Sequence, residues 1–275
     1  MKQKLQAPIF LFGCPRSGTT LLQSLLATHP AIASFPETKF FFYGIGKNRK
    51  KLGLISRHLK QHLNQYFKNE INRPEMLEYF PKIPLLDLYT RSFIKVLNIL
   101  TLEEGKSVWL EKTPEHLLSL DYIEKMLPEA RMIHILRNGS DVVASLYEVT
   151  HKYPQEWHKP WDIDFCLKRW KESIEISLKH SHKSNHILVN YEELVVEPAA
   201  ILKKICDFLN VEFEERMIAD YGKVAKYLSS EKAGRRVSGK IKKSGSDKFN
   251  KIFNEFQKQY ILDSIYEFNL ELLKL

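Results

Sequence analysis

The chain has 275 residues, 44% of them hydrophobic, and a formal net charge of +9. That length suits one sizeable α/β domain and does not require two, and without a run of about 18 uninterrupted apolar residues no transmembrane helix is expected. Three cysteines, Cys14, Cys166 and Cys206, are too few and too scattered for a disulfide framework or a zinc site, so they read as reduced packing residues and no metal is expected.

Residues 1–8 are positively charged, but the apolar run after them is too short for a signal peptide, which leaves the cytoplasm as the default location. Ile9 to Phe12 reads as a short buried strand, followed by a tight loop with Gly13 and Gly18 and a helix with Leu21, Leu22, Leu25 and Leu26 at helical spacing. Strand, loop and helix N-terminus gather backbone N–H groups and the positive end of a helix dipole at one point, as a bound phosphate requires. The glycine spacing is that of a Walker loop, but Thr19 stands where a γ-phosphoryl-transferring enzyme has its lysine. The loop offers Pro15, Arg16, Ser17, Gly18, Thr19 and Thr20 instead. This run resembles the phosphosulfate loop of sulfotransferases that use 3′-phosphoadenosine 5′-phosphosulfate (PAPS), most closely bacterial sulfotransferases and the tyrosylprotein sulfotransferases. The resemblance implies an α/β fold of the three-layer P-loop type, with a central parallel sheet flanked by helices. It also implies PAPS as donor, adenosine 3′,5′-bisphosphate (PAP) as product, and no metal.

Pro30 stops the first helix, and Ala31 to Phe35 forms a second short strand that delivers Pro36 and Glu37 to its carboxyl end. Ligands of open parallel sheets lie beyond the carboxyl ends of the strands, which puts Glu37 at the mouth of the site. In tyrosylprotein sulfotransferases a glutamate followed by threonine at the matching place is the catalytic base. Residues 40–105 begin with the aromatic run Phe40 to Tyr43, then turn basic, then helical with breaks at Pro74, Pro81 and Pro84. They read as a helical insertion covering the crevice, where an acceptor is recognised, within a single domain over 1–275. The aromatic run fits the core equally well.

Ser107 to Leu110 reads as a third strand, and Pro114 as the first residue of a helix capped by Thr113. Lys112 then falls at a strand end, and the resemblance makes it the lysine of a Lys-x-Pro turn that steadies the sulfuryl group. Glu111 and His116 are secondary candidates for proton transfer, a place at the surface or behind the reacting groups being the expectation for each. Arg131 to Leu136 forms a fourth strand, with His134 as a packed core histidine. After the turn that begins at Arg137 comes a helix burying Val142, Val143 and Leu146. An arginine here with a serine eight residues on binds the 3′-phosphate in the family, and Arg137 and Ser145 match. A further family arginine is replaced by Val149.

One amphipathic helix is expected over residues 161–182. His186 to Leu194 reads as a fifth strand and Pro198 to Leu209 as a helix, with Tyr191 matched in the family by a tyrosine at the nucleotide. The polar, basic stretch from Ser229 to Lys240 suits a loop closing over the nucleotide, which nominates Ser230, Arg236 and Lys240 for the 3′-phosphate. A last helix from Lys248 onward, with Ile252, Phe253, Phe256, Tyr260 and Ile261, is expected to pack on the sheet.

The charge of +9 suits an anionic partner. The run from Lys47 to Lys51 shows no reading helix or aromatic stacking motif, so it reads as solvated and no nucleic acid is expected. The chemistry implied is in-line sulfuryl transfer to an acceptor hydroxyl or amine on a small molecule, sugar, lipid or peptide, with Arg16, Lys112 and the loop N–H groups suited to stabilise charge on the leaving bridging oxygen; oligomeric state is not legible. Two other readings stay open: a noncatalytic polyanion-binding module, and a P-loop kinase with an atypical loop, for which a magnesium-binding aspartate is not evident.

Overall fold

The structure is a computed structural model that describes residues 4–45, 53–228, 241 and 247–268. In chain order the elements are β1 (Ile9–Phe12), α1 (Thr19–Ala27), β2 (Ile32–Ser34), α2 (Phe40–Ile45), α3 (Arg57–Gln65), α4 (Leu86–Glu103), β3 (Val108–Lys112), α5 (Leu120–Met126), β4 (Arg131–Leu136), α6 (Gly139–Lys152), α7 (Ile163–His180), β5 (His186–Asn190), α8 (Tyr191–Val196), α9 (Pro198–Leu209), α10 (Arg216–Ala219), α11 (Tyr221–Leu228), α12 (Asp247–Ile252) and α13 (Glu255–Ile265). The five strands form one sheet in the order β2-β3-β1-β4-β5, every pairing parallel. Central β1 pairs Leu11 with Lys112 on one side and with Ile133 on the other.

Side chains of β1 alternate between two cores, as a strand covered on both faces demands. Phe10 and Phe12 join Phe40, Phe41, Phe93 and Trp109 under α2 and α4, while Ile9 and Leu11 join Leu22, Leu25 and Ile205 under α1 and α9. Each fully buried side chain of this size contributes roughly 1.5–3 kcal/mol, and the result is the expected three-layer α/β architecture. The aromatic run therefore divides: Phe40 and Phe41 are core, with Phe40 stacked on Phe93 at 4.2 Å, while Phe42 is exposed.

Several boundaries differ from the sequence reading for local physical reasons. The second and third strands shift, to Ile32–Ser34 and Val108–Lys112, so Lys112 is the last residue of β3 itself. The fifth strand ends at Asn190, whose side chain accepts from the Glu193 N–H and starts α8, so Tyr191 to Leu194 is helical. Thr113 precedes a 3-10 turn, Pro114–Ser119, but its hydroxyl gives that turn no cap; it bonds to Glu111 instead. The expected terminal helix breaks at Asn254, where a capping box with Gln257 begins α13. That helix packs on α6 and α7, leaving Phe256 91% exposed, so it is not a sheet-packing helix along its length. Residues 57–103 are largely helical, with a π-helical turn, Tyr66–Glu70, directly after α3. The run from Lys47 to Lys51 lies outside the described residues. None of the described helices is long and apolar enough to cross a membrane. Cys14, Cys166 and Cys206 are free and buried, and burial pushes the Cys14 thiol up to about 12.

Candidate active site

Because every strand runs the same way, the loop after β1, the turns after β2, β3 and β4, and Tyr191 after β5 all lie along one edge of the sheet. The loop owes its shape to its two glycines. A Cβ on Gly13 would stand 2.7 Å from the Ile135 carbonyl oxygen. Gly18 has φ +94°, and a Cβ there would enter the Tyr191 ring at 2.3 Å. Between them Pro15 and Ser17 are buried, and the Ser17 N–H closes a turn on the Cys14 carbonyl at 3.0 Å. Thr19 and Thr20 open α1 behind Gly18, which brings no capping side chain to the helix N-terminus. First-turn N–H groups lack partners within the helix, so this cradle fits an anionic phosphate.

The functional side chains gather at two poles. At one, the Lys112 ammonium forms an ion pair with Glu37 and reaches to 3.5 Å from the Thr20 hydroxyl. Lys112 is 1% exposed and Glu37 7%; a charge so far from water needs a partner. At the other pole, Arg16 Nε donates to Ser145 Oγ at 3.1 Å. Arg137 donates to the Arg16 carbonyl at 3.2 Å and to Asp141 at 3.1 Å. The Arg137 guanidinium lies over the Tyr191 ring, 4.3 Å from its centre, a cation–π contact. Burial raises the Tyr191 hydroxyl above the ordinary phenol value, with Arg137 opposing. Arg16 itself holds a left-handed backbone, φ 77°, unusual for a residue with a side chain and of a kind that concentrates at functional sites.

The structure thus brings Glu37, Lys112 and Thr20 together, and Arg16, Arg137, Ser145 and Tyr191 together. Val149 is buried in α6. Ser230, Arg236 and Lys240 lie outside the described residues.

Sequence reasoning did not find the clamp behind the first pole. Glu111 and His116 are both buried, so neither is a surface group. Glu111 accepts from the Thr38 hydroxyl at 2.7 Å, the Thr113 hydroxyl at 2.8 Å and His116 Nδ1 at 2.8 Å. The Phe41 N–H donates to His116 Nε2 at 3.0 Å, which fixes the tautomer with its proton on Nδ1. Burial works to raise the Glu111 carboxyl; His116 and the two hydroxyls outweigh it and hold it below the usual carboxylate value. On the other side, Gln23 of α1 donates to Ser34 Oγ and the Phe35 carbonyl, each at 3.0 Å, fixing the chain just before Glu37. His134 is a core histidine, bonded to Ser177 at 3.1 Å and His186 at 2.9 Å.

The chain is similar in sequence and fold to known proteins. The model of a family described as the sulfotransferase family matches residues 8–215. Protein-tyrosine sulfotransferase A of Caenorhabditis elegans is 25% identical over 225 residues, covering 80% of this chain and 54% of the relative. The chain spans about half the length of the tyrosine sulfotransferases it matches. Among solved structures, the sulfotransferase domain from the curacin biosynthetic pathway superposes with a TM-score of 0.64 at 21% identity, covering 96% of this chain and 98% of that one. A mouse sulfotransferase solved with PAP superposes with a TM-score of 0.55 at 15% identity, covering 96% and 85%. These two show the fold.

Proposed function

The chain belongs to the sulfotransferase family, and from that premise we propose that it transfers a sulfuryl group from PAPS to an acceptor hydroxyl or amine. The observation that carries this reading is the pairing of a lysine-free glycine cradle with two separate groups of side chains, one at Lys112 and Glu37 and one at Arg137, Ser145 and Arg16. A nucleoside triphosphate concentrates its phosphates at one end, whereas PAPS carries an anion at both ends of its nucleoside. When bound, the donor supplies an activated sulfuryl group on a phosphate leaving group.

The chain's own residues divide the work. Backbone N–H groups of Gly18, Thr19 and Thr20, with the Thr20 hydroxyl, hold the 5′ end, within the loop that Pro15 enters and the Ser17 N–H closes on Cys14. Lys112 stabilises the negative charge that grows on the departing oxygen, a contribution worth about 3–4 kcal/mol for one well-placed donor in a dry site. Glu37 takes the acceptor's proton. The ion pair between them must part for both to act, so arrival of substrates frees each for its role. Arg137 and Ser145 bind the 3′-phosphate, and Tyr191 supports Arg137 and packs on Gly18. Arg16, with its Nε on Ser145, serves the 3′-phosphate first; a part in stabilising the leaving oxygen requires that bond to open. Ser230, Arg236 and Lys240 complete the 3′-phosphate site. The helical region at about 40–105 forms the acceptor-site cover of a single domain over 1–275, and the acceptor is a peptide or small molecule. Three reduced, buried cysteines suit a reducing compartment, and we place the enzyme in the cytoplasm.

Calorimetry with PAP, with ATP plus magnesium, and with a long polyanion tests the reading. Tight binding of PAP with no comparable binding of ATP is expected. Preference for ATP would favour a kinase, and steeply salt-dependent binding of the polyanion alone would favour a noncatalytic module. A labelled-sulfate screen over phenols, sugars, lipids and tyrosine peptides then identifies the acceptor.

A further inference from the structure

Glu37 stands between two backbone carbonyls that point into the helical region. Tyr66 donates its hydroxyl proton to the Pro36 carbonyl at 3.1 Å, and His62 donates from Nε2 to the Thr38 carbonyl at 2.7 Å. The two donors are four residues apart and so share one helix face. That face continues from α3 into the π-helical turn, Tyr66–Glu70, an irregularity that often marks functional sites. Both rings are themselves fixed. Tyr66 is 1% exposed and meets Phe67 edge-on at 5.2 Å, while His62 lies 4.8 Å from the Tyr43 ring. Burial lowers the His62 pKa from the ordinary histidine value, the Thr38 carbonyl opposing and the Lys39 charge adding to the fall.

From these contacts we infer that His62 and Tyr66 are positioning residues for Glu37: the segment proposed to cover the acceptor also aims the base. The inference rests on the reading of Glu37 as that base. The geometry gives the reason. Tyr66 pins the peptide plane that enters Glu37. His62 pins the plane after Thr38 by its oxygen, and Thr113 pins the same plane by the Lys39 N–H at 3.1 Å. With both planes held, the direction of the Glu37 Cα–Cβ bond has little freedom, and the carboxylate is delivered to Lys112. The strand side grips Thr38, Lys39 and Phe41, through Glu111, Thr113 and His116. On the approach to Glu37 the helical side adds the Pro36 bond to the one that Gln23 makes with the Phe35 carbonyl. Neither His62 nor Tyr66 needs to touch a substrate to matter, since a displacement of about 1 Å at a reacting group costs on the order of 10²-fold in rate.

The test monitors release of PAP from PAPS with phenol, a sugar alcohol and a tyrosine peptide as acceptor probes, in His62→Ala, His62→Gln, Tyr66→Phe and Glu37→Gln proteins and in the His62→Ala/Glu37→Gln double variant. Melting curves and PAP calorimetry establish that each variant is folded and binds nucleotide. In His62→Ala, kcat should fall about 10- to 100-fold while PAP affinity and the KM for PAPS stay within about twofold. His62→Gln, which can offer an N–H donor to the same carbonyl, should recover much of the loss, and Tyr66→Phe should fall less than His62→Ala. In the Glu37→Gln background, His62→Ala should cost nothing more. Unchanged kcat in His62→Ala, or an equal loss with and without Glu37, overturns the positioning role. Full activity in Glu37→Gln instead overturns the reading of Glu37 as the base, and absence of PAP release from the unmodified enzyme with every probe overturns the proposed function.

Discussion

The two poles of the site are built differently. Around Lys112 and Glu37 the charged groups are sealed from water, and the chain segment that bears Glu37 is fixed by hydrogen bonds from β3, from the turn after it and from α3. Around Arg137 the cations are more open, the Arg137 side chain being 16% exposed; Arg137 is held by the Arg16 carbonyl, by Asp141 and by an aromatic ring, and Arg16 by Ser145. On the proposed function the first pole is the one that does chemistry, where small errors of aim are expensive, and the second is the one that binds the 3′-phosphate.

Substitutions that separate rate from affinity would sharpen this contrast or break it. The largest effect is expected at the buried pole: Glu37→Ala should lower turnover about 10²- to 10⁴-fold while PAP binding persists. Lys112→Ala should lower turnover roughly 10²- to 10³-fold. It also leaves Glu37 buried without its counter-charge, a loss of about 3–5 kcal/mol in stability, readable as a lower unfolding midpoint in urea. Glu37→Ala/Lys112→Ala should melt above Lys112→Ala. At the open pole, Arg137→Ala should weaken PAP about 10- to 100-fold by calorimetry, the worth of a hydrogen bond to a charged group, with a much smaller effect on affinity for adenosine 5′-monophosphate. Equal losses for both nucleotides would remove Arg137 from the 3′-phosphate.

The smallest effect concerns the core beside the poles. Burial, with His186 and His180 adding to it, holds His134 well below the ordinary histidine pKa, so the unfolded chain binds its proton more readily. Stability from this residue is complete above about pH 6.5 and declines as pH falls below it. Urea unfolding should show that decline, and His134→Phe should flatten it.

Much of this site is legible in the sequence because it is written in backbone requirements. Gly13 and Gly18 are demanded by a carbonyl and a ring that leave no room for a Cβ, and apolar runs bounded by turn residues mark every strand. Tyr191 reads as strand because it resumes the apolar run of Ile187, Leu188 and Val189 after a single polar residue; that residue, Asn190, with Glu193 three positions on is the N-cap pattern that stops β5. The clamp cannot be read in this way. Glu111, His116, Thr38, His62 and Gln23 have no common spacing, and they meet only after β2, β3, α1 and α3 have packed. His62 and Tyr66 also sit in the stretch that carries no signature at all.

A crystal structure of the protein with PAP tests the division into two poles most directly. The 3′-phosphate is expected within hydrogen-bonding distance of Arg137 and Ser145, and the 5′-phosphate on the N–H groups just after Ser17 and near Lys112. A bisphosphate bound with its ends reversed, or seated away from residues 13–20, would contradict it.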